Sequence, residues 1–151
     1  MSIFSSLNTT ASALTAQRLR MDIISSNMAN VETTRGVINE EGQWEPYRRK
    51  MAVLEPKGQS FSSMLHHARG GQANPAAGVV VSAVKEDSAP FKKVFDPGHP
   101  DAGPDGFVNM PNVDPLKEMV DLMGSTRSYE ANVTVFNASK SMLLKSLELG
   151  K

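Results

Sequence analysis

The densest grouping of residues able to do chemistry is Asp96, His99, Asp101 and Asp105. Carboxylates and an imidazole so close in sequence could hold a divalent cation or form an acid/base set. The residues between them argue otherwise. Asp96-Pro97-Gly98-His99-Pro100-Asp101 is a succession of turn formers, in which carboxylates cap backbone N–H groups and proline fixes φ. Read as a calcium loop from Asp101, the third position is Gly103 and the twelfth Asn112, so two required ligands are missing. His66 and His67 are adjacent, so they point apart in any regular element, and no Glu or third His stands at metal spacing to them. Arg48, Arg49 and Lys50 beside Trp44 and Tyr47 could form a nucleic-acid patch, but three basic residues in a charge-balanced chain are expected to be the solvated edge of a strand. Serine, histidine and aspartate are all present without a Gly-x-Ser-x-Gly elbow. No acid pair is positioned for attack on a glycan. The expectation is a chain with no catalytic, cofactor or metal site, no small-molecule substrate and no enzymatic activity.

Composition narrows the classes further. Sixteen acidic and sixteen basic residues balance over 151 positions, and neither sign dominates either end. That charge pattern gives no footprint for nucleic acid or anionic lipid. Cysteine is absent, which removes disulfides, thiolate zinc sites and cysteine nucleophiles together. No basic residue precedes Arg18 and no continuous apolar block follows, so the start does not read as a Sec-type signal peptide. No segment is apolar and long enough to span a bilayer. The length fits one ordinary domain or two small units.

The elements that must carry function are helices at the two ends. From residue 5 to 31 no Gly or Pro interrupts a helical pattern, and Leu7, Leu14, Met21 and Met28 recur at seven-residue intervals, forming one stripe. Leu19 and Ile23 project on the other side, and most remaining positions are Ser, Thr, Asn and Ala. A helix facing water usually carries charge there, so this one is expected to be surrounded by neighbours when it works. Asp114-Pro115 reads as an N-cap with proline at the first helical position, although Lys117 stands where a capping box would have Glu or Gln. From there to Leu149 a second stripe of Leu122, Tyr129, Phe136 and Leu143 runs beside Met119, Thr126, Val133, Lys140 and Leu147. The expected subunit interface is these rows without Thr126 and Lys140, together with Leu19 and Ile23. Between the ends, strands are expected at 48–54, 78–85 and 91–95, a loop at 57–77, and turns through Gly106, Phe107 and Val108. The whole is expected to be α+β: residues 1–34 and 113–151 as a coiled-coil-like helix pair that mediates assembly, and 35–112 as an inserted loop and small irregular β unit.

Three separated segments carry a resemblance. Ser25-Ser26-Asn27-Met28-Ala29-Asn30-Val31-Glu32-Thr33-Thr34 resembles the amino-terminal signature of bacterial flagellar rod and hook proteins, with Asn27, Ala29, Asn30 and Thr33 as its marks. Tyr129-Glu130-Ala131-Asn132, continuing to Phe136-Asn137, is similar to their carboxyl-terminal signature. Asp96-Pro97-Gly98-His99-Pro100-Asp101, followed by Pro111-Asn112-Val113-Asp114, is similar to the segment that marks C-type proximal rod subunits, departing from it at Gly103-Pro104. The resemblance implies a structural subunit of the torque-transmitting axial shaft that crosses the periplasm, exported by the flagellar type III apparatus without a cleaved signal. It also implies assembly with copies of itself, with rod subunits of the B, F and G types and with the export-gate adaptor E. A different class would be a small helical-hairpin module that docks a single partner through the same stripes.

Overall fold

The computed structural model describes residues 3–40, 42–57, 65, 68–69 and 78–149; His66, His67 and most of the expected 57–77 loop lie outside the described residues. Two long helices bound the chain, α1 over Ile3–Ala29 and α2 over Pro115–Leu149. Between them come β1 (Val37–Ile38), β2 (Trp44–Glu45), β3 (Lys50–Pro56), β4 (Val79–Glu86), β5 (Lys92–Phe95) and β6 (Phe107–Met110). The strands form three two-stranded sheets, β1 with β2, β3 with β4 and β5 with β6. The two helices pack together, so the architecture is α+β as the residue pattern indicates. No described helix is long and apolar enough to cross a membrane.

The chain divides into two compact units. The first comprises Met1–Leu19, Val53–Ala83 and Gly124–Lys151; the second comprises Arg20–Ala52 and Val84–Met123. Their cores differ in kind. Among the described residues, those buried in the first are all small: Thr10, Ala16, Ser125 and Ser139. Those of the second include Ile24, Tyr47, Val108 and Val113, together with the polar Asn27 and Glu118.

Local chemistry explains the boundaries. α1 ends two residues earlier than its pattern suggests because Asn30 turns its amide back on Ser26, Nδ2 donating to the carbonyl at 2.8 Å, while Thr33 Oγ1 donates to Asn30 Oδ1 at 3.2 Å. Three residues on, Gly36 is obligatory: a Cβ there would lie 2.7 Å from the Tyr47 backbone nitrogen. α2 begins as expected, with Asp114 Oδ1 accepting from Leu116 N at 3.1 Å. The turn expected at Phe107 and Val108 is instead strand β6, antiparallel to β5 with Val94 opposite Val108 and Phe95 opposite Phe107. Val108 is pulled inward to 2 % exposure while Phe107 points out, the period-two alternation that only strand pairing supplies. The short hairpin β1–β2 was not legible either, since a two-residue strand has no periodicity to read. The strand expected from Arg48 starts at Lys50, because Arg48 and Arg49 are drawn into side-chain contacts described below.

Candidate assembly surface

Within the second unit the side-chain amide of Asn27, wholly buried, makes four hydrogen bonds, which is all an amide can make. Its Nδ2 donates to the Lys50 carbonyl at 2.9 Å and to Glu118 Oε2 at 3.1 Å. Its Oδ1 accepts from Lys50 N at 2.9 Å and from the Tyr47 hydroxyl at 3.0 Å. Glu118, also wholly buried, takes Arg49 Nε on its other oxygen at 2.6 Å. The guanidinium reaches two more carboxylates, Asp121 at 3.4 Å and Asp87 at 3.7 Å, and Arg20 comes within 3.9 Å of Asp121. Asn112 completes the joint: its Oδ1 accepts from Arg49 N at 2.8 Å, and its Nδ2 donates to the carbonyls of Asp87 and Ala89. One helix end, one helix start and the chain segments around residues 49, 87 and 112 are thereby fixed in a single register.

This corrects the reading of Arg48 and Arg49 as a solvated strand edge, while Lys50, exposed at the start of β3, fits it. Arg49 retains 11 % side-chain exposure and Arg48 stacks over the Phe91 ring at 4.3 Å. Asp87, Glu118 and Asp121 were not singled out by sequence reasoning, and Tyr47 was considered only as part of a nucleic-acid patch. A signal for Glu118 existed: it lies one turn before Leu122 on the same side of α2, and a carboxylate on an inward row requires a buried cation.

The Asp96–Asp105 cluster is divided between two tasks. Asp96 Oδ1 accepts from Gly98 N at 3.1 Å and His99 Nδ1 from Asp101 N at 3.1 Å, both local turn bonds. Asp101 reaches further, accepting from Arg35 Nε at 2.8 Å and from Thr34 Oγ1 at 2.8 Å. The Arg35 hydrogen bond, then the Thr34 one, hold its carboxyl below the usual carboxylate range. An open cleft of about 310 Å³ is lined by Thr34, Trp44, Asp101 and Phe107, where the one carboxylate is already engaged. Among the described residues no group of three His, Asp or Glu is placed to hold a metal ion.

The helical rows separate by exposure. Leu7, Leu14, Met21, Met28 and Ile23 on α1 are half-buried, as are Leu122, Tyr129, Val133, Phe136 and Leu143 on α2. Leu19, Met119 and Leu147 are exposed, Leu147 at 71 %. Further exposed apolar residues stand on α2 outside the rows singled out from sequence, among them Leu116, Val120, Val135 and Met142. Of the signature residues, Asn27, Asn30, Thr33 and Asn112 bind backbone or neighbouring side chains as described, and Asn132 Nδ2 donates to the Ser128 carbonyl at 2.8 Å. Pro97 and Pro100 sit in the Asp96–Asp101 turn, and Tyr129 is half-buried. Ala29, Glu130 and Ala131 are exposed.

Comparison with known proteins matches these same regions. Residues 7–35 fit the model of the flagella basal body rod protein family, and residues 105–149 that of the flagellar basal body rod FlgEFG protein C-terminal region. Over its whole length the chain is 59% identical to the flagellar basal-body rod protein FlgC of Bacillus subtilis, covering 100% of both. It is 41% identical to that of Salmonella typhimurium, again covering 100% of both, and 40% identical to that of Borreliella burgdorferi, covering 99% of this chain and 98% of the relative. Matches of this extent, spanning both helices and the segment between them, establish that the chain belongs to the FlgC family of flagellar basal-body rod proteins.

Proposed function

We propose that this structural rod subunit polymerises through its terminal helices into the proximal part of the torque-transmitting shaft that crosses the periplasm. In this reading residues 1–34 and 113–151 are the assembling part and 35–112 an outward-facing insert. Its neighbours are copies of itself, rod subunits of the B, F and G types and the export-gate adaptor E, and it leaves the cell through the flagellar type III apparatus without a cleaved signal. The observation that carries the reading is the pairing of small buried residues with large exposed ones on the helical ends. Thr10, Ala16, Ser125 and Ser139 are buried while Val135, Met142 and Leu147 stand in solvent, the pattern of a surface completed by other chains.

Val135→Lys and Met142→Lys test it, because both positions are exposed at 52 % or more and the changes leave the fold alone. An ammonium buried without a partner in an assembled helix layer costs on the order of several kcal/mol, so each variant should leave rods absent and cells non-swimming while circular dichroism of the subunit is unchanged. Phe136→Lys and Leu143→Lys alter half-buried positions and test folding and assembly together. Normal rods with all four substitutions would remove the helical ends from the function. A module docking a single partner predicts saturable one-to-one binding; a rod subunit predicts filaments that lengthen with concentration.

A further inference from the structure

The open cleft of the second unit joins two kinds of surface. Two aromatic rings line it, Trp44 of β2 and Phe107 of β6, 54 % and 47 % exposed. Phe107 is held by Phe95, edge to face at 5.3 Å, and Trp44 by the pairing of β2 with β1, so both rings are placed without a ligand. The rest of the wall is largely polar. Asn109 of β6 is exposed beside the rings, and among the described residues neither its side-chain amide nor the Trp44 indole N–H has a hydrogen-bond partner.

Asp101 is the one charged residue on the wall, and its charge is already met. Its Oδ1 accepts from Arg35 Nε at 2.8 Å, while Oδ2 accepts from Thr34 Oγ1 at 2.8 Å and keeps a lone pair to spare. An anion finds a carboxylate here, and a cation finds one that Arg35 has neutralised. An apolar peptide finds mostly polar atoms. What matches is an uncharged molecule whose C–H groups form flat faces and whose hydroxyls project around the rim. Such C–H groups rest on the negative faces of aromatic rings, and the hydroxyls pair with the amide, the indole N–H and the free carboxylate lone pair. Pyranose rings with equatorial substituents have this form. At about 310 Å³ the cleft is at the small end of ligand sites, and its open mouth lets a chain pass along it.

We propose that this cleft binds a short stretch of a β-linked pyranose polysaccharide, the ring faces on Trp44 and Phe107 and the hydroxyls on Asn109, Asp101 and the indole N–H. Among the described residues lining it there is one carboxylate and that one is paired, so the glycan is held and not cleaved. The inference needs nothing from the helical ends. It gives the segment between them a ligand of its own.

Trp44 is the chain's one tryptophan, so its emission reports on the cleft directly. The full-length chain is titrated with chitohexaose, which carries N-acetyl groups, with cellohexaose, which does not, and with sorbitol, which offers hydroxyls without a ring face. Emission should shift to shorter wavelength and saturate below about 1 mM with at least one oligosaccharide, and sorbitol should leave it unchanged. Response to chitohexaose alone assigns an amino-sugar polymer; response to cellohexaose as well assigns the ring faces as sufficient. By calorimetry Trp44→Ala should bind at least about tenfold more weakly, Trp44→Phe should recover part of the loss, and Asn109→Ala should weaken binding about threefold. All three positions changed are exposed in the folded chain, so the Tm should stay within about 2 °C. No response to either oligosaccharide, an equal response to sorbitol, or full affinity in Trp44→Ala overturns the proposal. If neither oligosaccharide binds while Trp44→Ala stops swimming, the cleft belongs to a protein neighbour instead.

Discussion

The two compact units solve the burial of polar groups in opposite ways. In the second, Asn27, Glu118, Arg49 and Asn112 satisfy one another across segments far apart in sequence, so each bond specifies a long-range register. In the first, the buried hydroxyls turn back on their own helix, Thr10 to the Ser6 carbonyl and Ser139 to Val135, and a bond to a distant segment is made by the half-buried Ser12, whose Oγ accepts from Val79 N at 3.0 Å. Such i−4 bonds settle the hydroxyl without choosing a partner. Among the described residues, the buried polar atoms without a partner, Gln17 Oε1 and Ser125 Oγ, both belong to the first unit. A region whose buried polar groups specify its register needs no neighbour, whereas one whose buried hydroxyls bond within their own helix leaves more of its packing to be decided from outside.

The contrast can be broken at its strongest point. Glu118→Ala leaves Arg49 and Asn27 buried and short of partners, and should cost about 3–5 kcal/mol in urea unfolding. Glu118→Gln keeps the shape, loses the charge and should fall between. If Glu118→Ala costs under about 1 kcal/mol, comparable with a surface change, the joint does not hold the second unit together. Hydrogen exchange in the unassembled subunit comes next. Amides of residues 20–29 should be protected longer than those of 5–19 although both lie in α1, because the buried side chains of the first unit are small and contribute little apolar area. Uniform protection along α1 would erase the distinction.

Smaller effects sharpen it. Ser125→Ala removes a buried hydroxyl without a partner, so it should be neutral or stabilise by up to about 1 kcal/mol, while Asn27→Ala, whose partners are all engaged, should destabilise clearly. Equal losses would mean that Ser125 has a partner in solution. The least effect belongs to Asp101, which is paired but open to solvent. Its folded-state pKa is depressed by Arg35 and Thr34, so its contribution is present above the unfolded value of 3.8 and is lost as pH falls through the lower folded one. Asp101→Asn should flatten the dependence of Tm on pH at the acid end and leave neutral pH almost unchanged.

Both helices, the N-cap at Asp114 and the Asp96–Gly98 turn were legible because each is written in neighbouring residues: a seven-residue interval, an Asp-Pro pair, a string of turn formers. The joint was not. Asn27, Arg49 and Glu118 are separated by tens of residues, and each has an ordinary local explanation as a helix polar residue, a strand-edge cation and a first-turn acid. Only tertiary proximity converts those three into one buried network. β6 escaped for a related reason, since Gly106, at φ 73° with the Phe95 ring 2.9 Å from its would-be Cβ, reads in sequence as the middle of a turn when it is the hinge that pairs two strands.

Asn27 has one more effect. Arg49's carbonyl accepts from Asp87 N, on the side of β3 that pairs with β4, so the N–H and C=O of Lys50 point the other way, toward the unpaired edge. Both are occupied by the Asn27 amide, which imitates one residue of a third strand. An open strand edge is a template on which another chain can add. By plugging the start of that edge with a side chain anchored in a helix, the molecule keeps strand-on-strand aggregation from competing with helical assembly, and Asn27→Ala should show it as amyloid-dye binding that the parent chain lacks.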